Sequence, residues 1–147
     1  MDRGLAVVLT AAVGGLIALQ APINSMLGKA VGTWQAATVS FAIGTVVLVL
    51  IASVAGGFGS LGEARHLPWY YLSGGVLGAA YVTSVLVTVR TLGAGGVVAA
   101  TIAGQLTAAV VVDQLGILGV AKHPITAART VGVLLLAAGT FLVVRGR

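Results

Sequence analysis

The chain has 147 residues, of which 59% are hydrophobic and 7% charged, whereas soluble domains are roughly 45–50% apolar and about 25% charged. This composition excludes an ordinary soluble domain, and cysteine is absent, which excludes disulfides, thiolate catalysis and cysteine-based metal sites. The net charge of +5 does not indicate a nucleic-acid partner, because the bases stand singly at the ends of apolar stretches, where they anchor helices to lipid headgroups.

Five successive apolar stretches predict an all-α membrane protein with a single domain of five transmembrane helices, each near the roughly 20 residues that cross a bilayer. The predicted spans are residues 5–27, 34–55, 69–89, 97–115 and 126–144. The first is too long for the apolar region of a secretory signal. Trp34 and Trp69 begin the second and third spans, at the depth that aromatic rings prefer. Glycine-rich turns at residues 56–67 and 93–96 separate the later spans.

The first span carries two amides near its end. Gln20 and Asn24 are four residues apart and therefore share a helix face. Pro22 between them has no N–H, which leaves the carbonyl of Ala18 without its usual donor and predicts a helix break. Transporters use such breaks to present polar groups to a substrate. Hydrogen bonding to neighbouring helices is the alternative role for both amides.

The third span carries hydroxyl groups along one stripe. Tyr81, Ser84 and Thr88 follow i, i+3, i+7 spacing, as a cavity lining would, although a packing stripe has the same spacing. Gly74 and Gly78 lie four residues apart on the same helix and predict close approach by a neighbour.

The fourth span carries the one acid that falls inside any predicted span. Asp113 follows Gln105 by eight residues, about 12 Å along a helix. An unpaired carboxylate is costly at membrane depth, so Asp113 is a candidate proton or cation site. Because successive spans run in opposite directions, the end of the fourth span and the start of the fifth lie on the same side of the membrane. Arg129 can therefore form a structural ion pair with Asp113. The sequence leaves both roles open.

No motif for covalent or metal-dependent catalysis is present: there is no Gly-x-Ser-x-Gly elbow, no phosphate-binding loop and no His-Glu metal motif. His66 and His123 lie far apart in predicted loops. We therefore expect neither an enzyme nor a cofactor or metal site.

Several short motifs resemble the YdcZ-like family, the five-span branch of the drug/metabolite transporter superfamily. They are Gln20-x-x-x-Asn24, Pro68-Trp69, Gly74-Gly75-x-x-Gly78, Leu92-Gly93, Gly104-Gln105-Leu106 and Asp113-x-x-Gly116. The resemblance implies a multi-pass protein of the bacterial inner membrane, equivalent to half of an inverted-repeat transporter of this superfamily. The chain departs from the family that it resembles at two places. Arg90 stands where proline is common in that family, and Gln114-Leu115 stands where His-Phe is more usual.

We expect a small-solute transporter, for a metabolite or drug, that acts as an antiparallel homodimer within the lipid bilayer. Gln20, Asn24, Tyr81, Ser84, Gln105 and Asp113 are the candidate substrate-binding or gating residues. A non-transporting membrane subunit or assembly factor is the alternative, and a small-ion channel is a third, although a channel requires a continuous wet path. Polar groups that face a cavity favour transport, whereas a full set of interhelical partners favours the structural role.

The dimer prediction rests on charge balance. With five spans the termini fall on opposite sides, and each side carries four bases: Arg3, Arg65, Lys122 and Arg129 on one, and Lys29, Arg90, Arg145 and Arg147 on the other. The positive-inside rule orients a membrane protein by an excess of Lys and Arg on one side, and here there is none. Two oppositely inserted copies would rebuild a ten-span inverted-repeat layout, with Asn24 of one copy at a depth similar to Asp113 of the other.

Overall fold

A computed structural model describes residues 2–146. Four α-helices and two 3₁₀ helices make up the described chain, which contains no strand. The α-helices are α1 (Arg3–Val31), α2 (Thr33–Ala55), α3 (Gly74–Leu115) and α4 (Ala127–Arg145). The 3₁₀ helices, Leu61–His66 and Trp69–Ser73, connect α2 to α3.

Segments long and apolar enough to cross a membrane account for most of the described residues. They are Arg3–Val31, Thr33–Ala55, Trp69–Leu115 and Ala127–Arg145. At most 11% of the most apolar window of any of them is buried inside the protein, so their outer surfaces are apolar, as a lipid environment requires. The chain is an all-helical, multi-pass membrane protein.

The helix ends follow local capping chemistry. The Asp2 carboxylate accepts a hydrogen bond from the Gly4 N–H at the start of α1, and the Thr126 hydroxyl accepts one from the Arg129 N–H at the start of α4. Such caps satisfy N–H groups that have no partner within the helix. Between α1 and α2 the chain turns at the single residue Gly32, whose φ of 98° favours glycine.

The predicted break at Pro22 is not present. Helix α1 continues through this residue to Val31, because a proline removes one backbone hydrogen bond but the turns on either side keep theirs. The Ala18 carbonyl still has no N–H four residues later in the chain.

The predicted glycine turn at residues 93–96 is also shorter than expected. Only Gly93 departs from helical geometry, with φ 61° and ψ 172°, and the helix resumes directly after it. Helix α3 therefore has a first part, residues 74–92, and a second part, residues 94–115. A helix break needs only one residue when that residue is glycine, since glycine reaches positive φ without a steric penalty.

The chain divides into two compact units, Met1–Arg90 and Thr91–Arg147. The core of the first unit is small: Ala36, Ala37, Val82 and Leu86 form a buried cluster against which Leu27 and Tyr81 pack. In the second unit, the Thr140 hydroxyl of α4 donates to the Ala99 carbonyl of α3 over 3.0 Å. Gly96 of α3 lies so close to α4 that a Cβ built on it would be 3.6 Å from a methyl of Val144. Small residues at such contacts let membrane helices approach closely.

Candidate functional site

Three of the candidate site residues meet where α1 packs against the first part of α3. Gln20 and Asn24 of α1 and Tyr81 of α3 line a gap of about 10 Å³. That volume is about enough to hold one water molecule. The four-residue spacing of the amides places both on the face of α1 that meets α3, as the sequence predicted for a shared face.

Asn24 is fixed within this gap. Its side chain is buried, with 6% exposed, and its Nδ2 donates to the Ser40 Oγ of α2 over 3.1 Å. A buried amide is costly without a partner, so this bond ties α1 to α2. Ser40 was not singled out from the sequence, because it has no polar neighbour three or four residues away to mark it.

Gln20 and Tyr81 differ from Asn24, because neither side chain makes a hydrogen bond to another described residue, although Tyr81 is half-buried. An amide and a phenol offer both donors and acceptors. The gap can therefore hold a water or a small polar group between them.

Ser84 does not share a lining with Tyr81. Tyr81 lines the gap next to α1, whereas Ser84 lines a groove between α3 and α2. The two side chains differ in direction because a spacing of three residues rotates a side chain by about 60° around the helix. Its Oγ donates to the Ala80 carbonyl over 2.8 Å, and Thr88 makes the same kind of bond to the Ser84 carbonyl. The stripe proposed from the sequence thus serves two different surfaces.

The second unit contains an ion pair at the end of α3. Arg129 Nη1 lies 2.9 Å from Asp113 Oδ2, and the two side chains are 38% and 24% exposed. No N–H of this nitrogen is aligned for a hydrogen bond, so the contact is a short charge pair rather than a directed bond.

Backbone bonds hold the loop after α3 around the same residues. The Asp113 carbonyl accepts from the His123 N–H over 2.8 Å, and the Gln114 side chain accepts from the Ile125 N–H over 2.7 Å. The start of α4 is therefore fixed next to Asp113. Gln105, two turns earlier in α3, is exposed and makes no hydrogen bond within residues 2–146.

A groove with a volume of about 780 Å³ lies between α2 and the first part of α3. Of the candidate residues only Ser84 lines it. Sequence reasoning missed the groove, although Trp34, Thr38 and Phe41 follow i, i+4, i+7 spacing and so share the face of α2 that forms its wall. No group of three His, Asp or Glu side chains able to hold a metal ion occurs among residues 2–146.

A family model described as "Putative inner membrane exporter, YdcZ" matches residues 5–142. The chain belongs to the YdcZ family. The resemblance drawn from the Gln20, Gly78 and Asp113 motifs is therefore confirmed, as is the inner-membrane location. The description of the family is that of a membrane exporter, not of an enzyme. Neither the curated proteins nor the solved structures include a significant match to the chain.

Proposed function

We propose that the chain exports a small solute across the inner membrane, and that two copies inserted in opposite directions form the functional transporter. Membership of the YdcZ exporter family supports export. The observation within the site that carries the proposal is the pair Gln20 and Tyr81, which face a gap without a hydrogen-bond partner in the described chain. Groups that served only helix association would pair with each other, as Asn24 and Ser40 do.

Five spans per chain are part of this proposal. The segment Trp69–Leu115 has 47 residues, which as a continuous helix would extend about 70 Å, more than twice the roughly 30 Å of a hydrocarbon core. The break at Gly93 divides it into two lengths that each suit one crossing. An odd number of spans with four bases on each side gives no orientation bias, which supports dual insertion.

Transport is tested with purified protein in liposomes against a panel of metabolites and drugs, after a thermal-shift screen for ligands. For any solute that moves, we expect Gln20→Ala and Tyr81→Phe to lower the transport rate without lowering the melting temperature. Ser53→Ala is the matched control, because that hydroxyl bonds only to the Val49 carbonyl of its own helix. If both site variants transport normally, the gap is not on the solute path.

The structural alternative, a non-transporting subunit, is supported by the interhelical partners of Asn24 and Asp113. It predicts no transport of any solute in the panel. It also predicts that Gln20→Ala changes the assembly of the protein, measured by cross-linking in membranes.

Dual insertion is tested with single cysteines, since the chain has none of its own. Gly62 suits this change, because a Cβ built there meets no atom within 4 Å, and Ala30, exposed at the end of α1, reports the opposite side. Impermeant maleimide should label each position from both faces of intact vesicles. Labelling of each position from one face alone would exclude the antiparallel dimer and leave the export proposal standing.

A further inference from the structure

The groove between α2 and the first part of α3 has the size of a small-molecule site. Its volume of about 780 Å³ lies within the roughly 300–1,000 Å³ of ligand pockets. The gap beside Gln20 and Tyr81, at about 10 Å³, is too small for a solute. A transported molecule therefore needs a binding site elsewhere, and the groove is large enough to be that site in the first unit.

Aromatic rings form one wall of the groove. Trp34 and Phe41 are seven residues apart on α2, about 10.5 Å along the helix and on the same face. The Trp34 side chain is 72% exposed, so its ring face is available, whereas Phe41 is held against α3 near Gly78. A flat aromatic solute can stack on Trp34 at the end of the groove.

Two of the three hydroxyl groups that line the groove, those of Thr38 and Ser84, present acceptors rather than donors. Thr38 donates its proton to the Trp34 carbonyl over 2.9 Å, and Ser84 donates to the Ala80 carbonyl over 2.8 Å. A hydroxyl has one proton and two lone pairs, so each oxygen still accepts. The complementary solute carries an N–H or O–H donor.

The charge distribution disfavours ions. None of the described residues that line the groove is charged, so nothing there compensates for the desolvation of an ion. Arg90 lies near the Trp34 end, since its Nη2 is 3.4 Å from the hydroxyl of the adjacent Thr33. Arg90 repels a cationic solute, and a carboxylate would have to give up its hydration to a lining that contains no charged donor.

We propose that this groove binds uncharged, flat aromatic solutes with a hydrogen-bond donor, stacked on Trp34 with the donor directed at the hydroxyl oxygens of the wall. Such a solute is the substrate class of the exporter, and this part of the inference rests on the proposed function. Its neutrality also suits entry from the apolar interior of the bilayer.

Trp34 itself provides the measurement. The chain has two tryptophans, and Trp69 does not line the groove, so Trp69→Phe leaves Trp34 as the single tryptophan, which is excited selectively over the tyrosines. The probe is 5-nitroindole, a neutral aromatic N–H donor that quenches tryptophan fluorescence. We expect saturable quenching in detergent, and about fivefold weaker binding of N-methyl-5-nitroindole, because one hydrogen bond is lost. A nitrobenzyl trimethylammonium cation and 4-nitrobenzoate should give no saturable quenching.

Filling the groove tests the location. Ala79 is exposed in the groove, so Ala79→Leu should weaken 5-nitroindole binding at least tenfold. Ala12→Leu on the exposed surface of α1 is the matched control and should leave binding unchanged. The comparison between the N–H and N-methyl probes needs no groove variant, so the proposal remains testable if Ala79→Leu does not fold.

Four outcomes would overturn the inference. Equal, unsaturable quenching by the N–H and N-methyl probes would mean partition into the micelle only. Tighter binding of the cation or of the benzoate would refute the substrate class. Quenching of Trp34 by brominated lipid that 5-nitroindole does not displace would identify an acyl chain as the occupant. A fall in melting temperature with Ala79→Leu, without saturable binding of any probe, would identify the groove as a helix-packing surface.

The liposome panel separates this inference from the export proposal. Saturable binding without transport of any solute would refute export and leave the groove assignment standing. Transport of panel solutes that Ala79→Leu does not affect would refute the groove assignment and leave export standing.

Discussion

Removing either member of the Asp113–Arg129 pair should destabilise the protein, and removing both should cost less than the sum of the two single changes. The 2.9 Å contact joins side chains that are 24% and 38% exposed. Exposed pairs contribute roughly 0–1 kcal/mol, whereas breaking a buried pair costs about 3–5 kcal/mol. For this intermediate burial, and with no aligned hydrogen bond, we expect a coupling free energy of about 1–3 kcal/mol.

The assay is a double-mutant cycle with Asp113→Asn and Arg129→Gln. Unfolding is followed by circular dichroism as SDS is titrated into mixed micelles. Glu63→Gln with Arg65→Gln is the matched control, since this acid and base form no ion pair in the described chain. Additivity of the Asp113 and Arg129 changes within about 0.5 kcal/mol would refute a stabilising pair.

Transport by the same variants separates structure from chemistry. If Asp113→Asn folds normally and retains an unchanged pH profile of transport, Asp113 is not a proton site. If the double variant folds but no longer transports, the charges of this pair have a role in transport beyond stability.

Two glycine substitutions have clear expectations. Gly93→Ala should lower the free energy of unfolding by about 1–3 kcal/mol, because φ 61° with ψ 172° is strained for any other residue. The control is Gly95→Ala, at a helical position where a Cβ meets no atom within 4 Å, and it should be neutral or stabilising. Equal changes in the free energy of unfolding for the two variants would contradict the helix break at Gly93. Gly28→Ala should reduce thermal stability, because the new Cβ would lie 3.1 Å from the Arg90 guanidinium. The control is Gly14→Ala, whose Cβ would meet no atom within 4 Å, and it should not reduce thermal stability. Equal melting temperatures for Gly28→Ala and Gly14→Ala would show that the Arg90 side chain moves freely.

The agreement between predicted and observed helices is closest where the signal is local. Residues 5–27 and 34–55 lie within α1 and α2, and 126–144 differs from α4 by one residue at each end. Length and hydropathy decide these helices, because a backbone in lipid must satisfy its hydrogen bonds within the segment. Pro22 and the turn at residues 93–96 were predicted less well. One proline does not end a helix whose other bonds remain, and one glycine is enough to interrupt one.

The sequence by itself determined that this is a membrane protein, that it is helical and to which family it belongs. Composition, hydrophobic runs and short motifs can all be read from neighbouring residues. It also placed Gln20 and Asn24 on one face. Only the tertiary structure decided which polar groups have partners. Asp113 could equally have been an isolated acid until the loop after α3 brought Arg129 to 2.9 Å, and the groove beside Trp34 exists only because α2 and α3 pack side by side. Contacts between segments distant in sequence depend on packing, which local patterns do not encode.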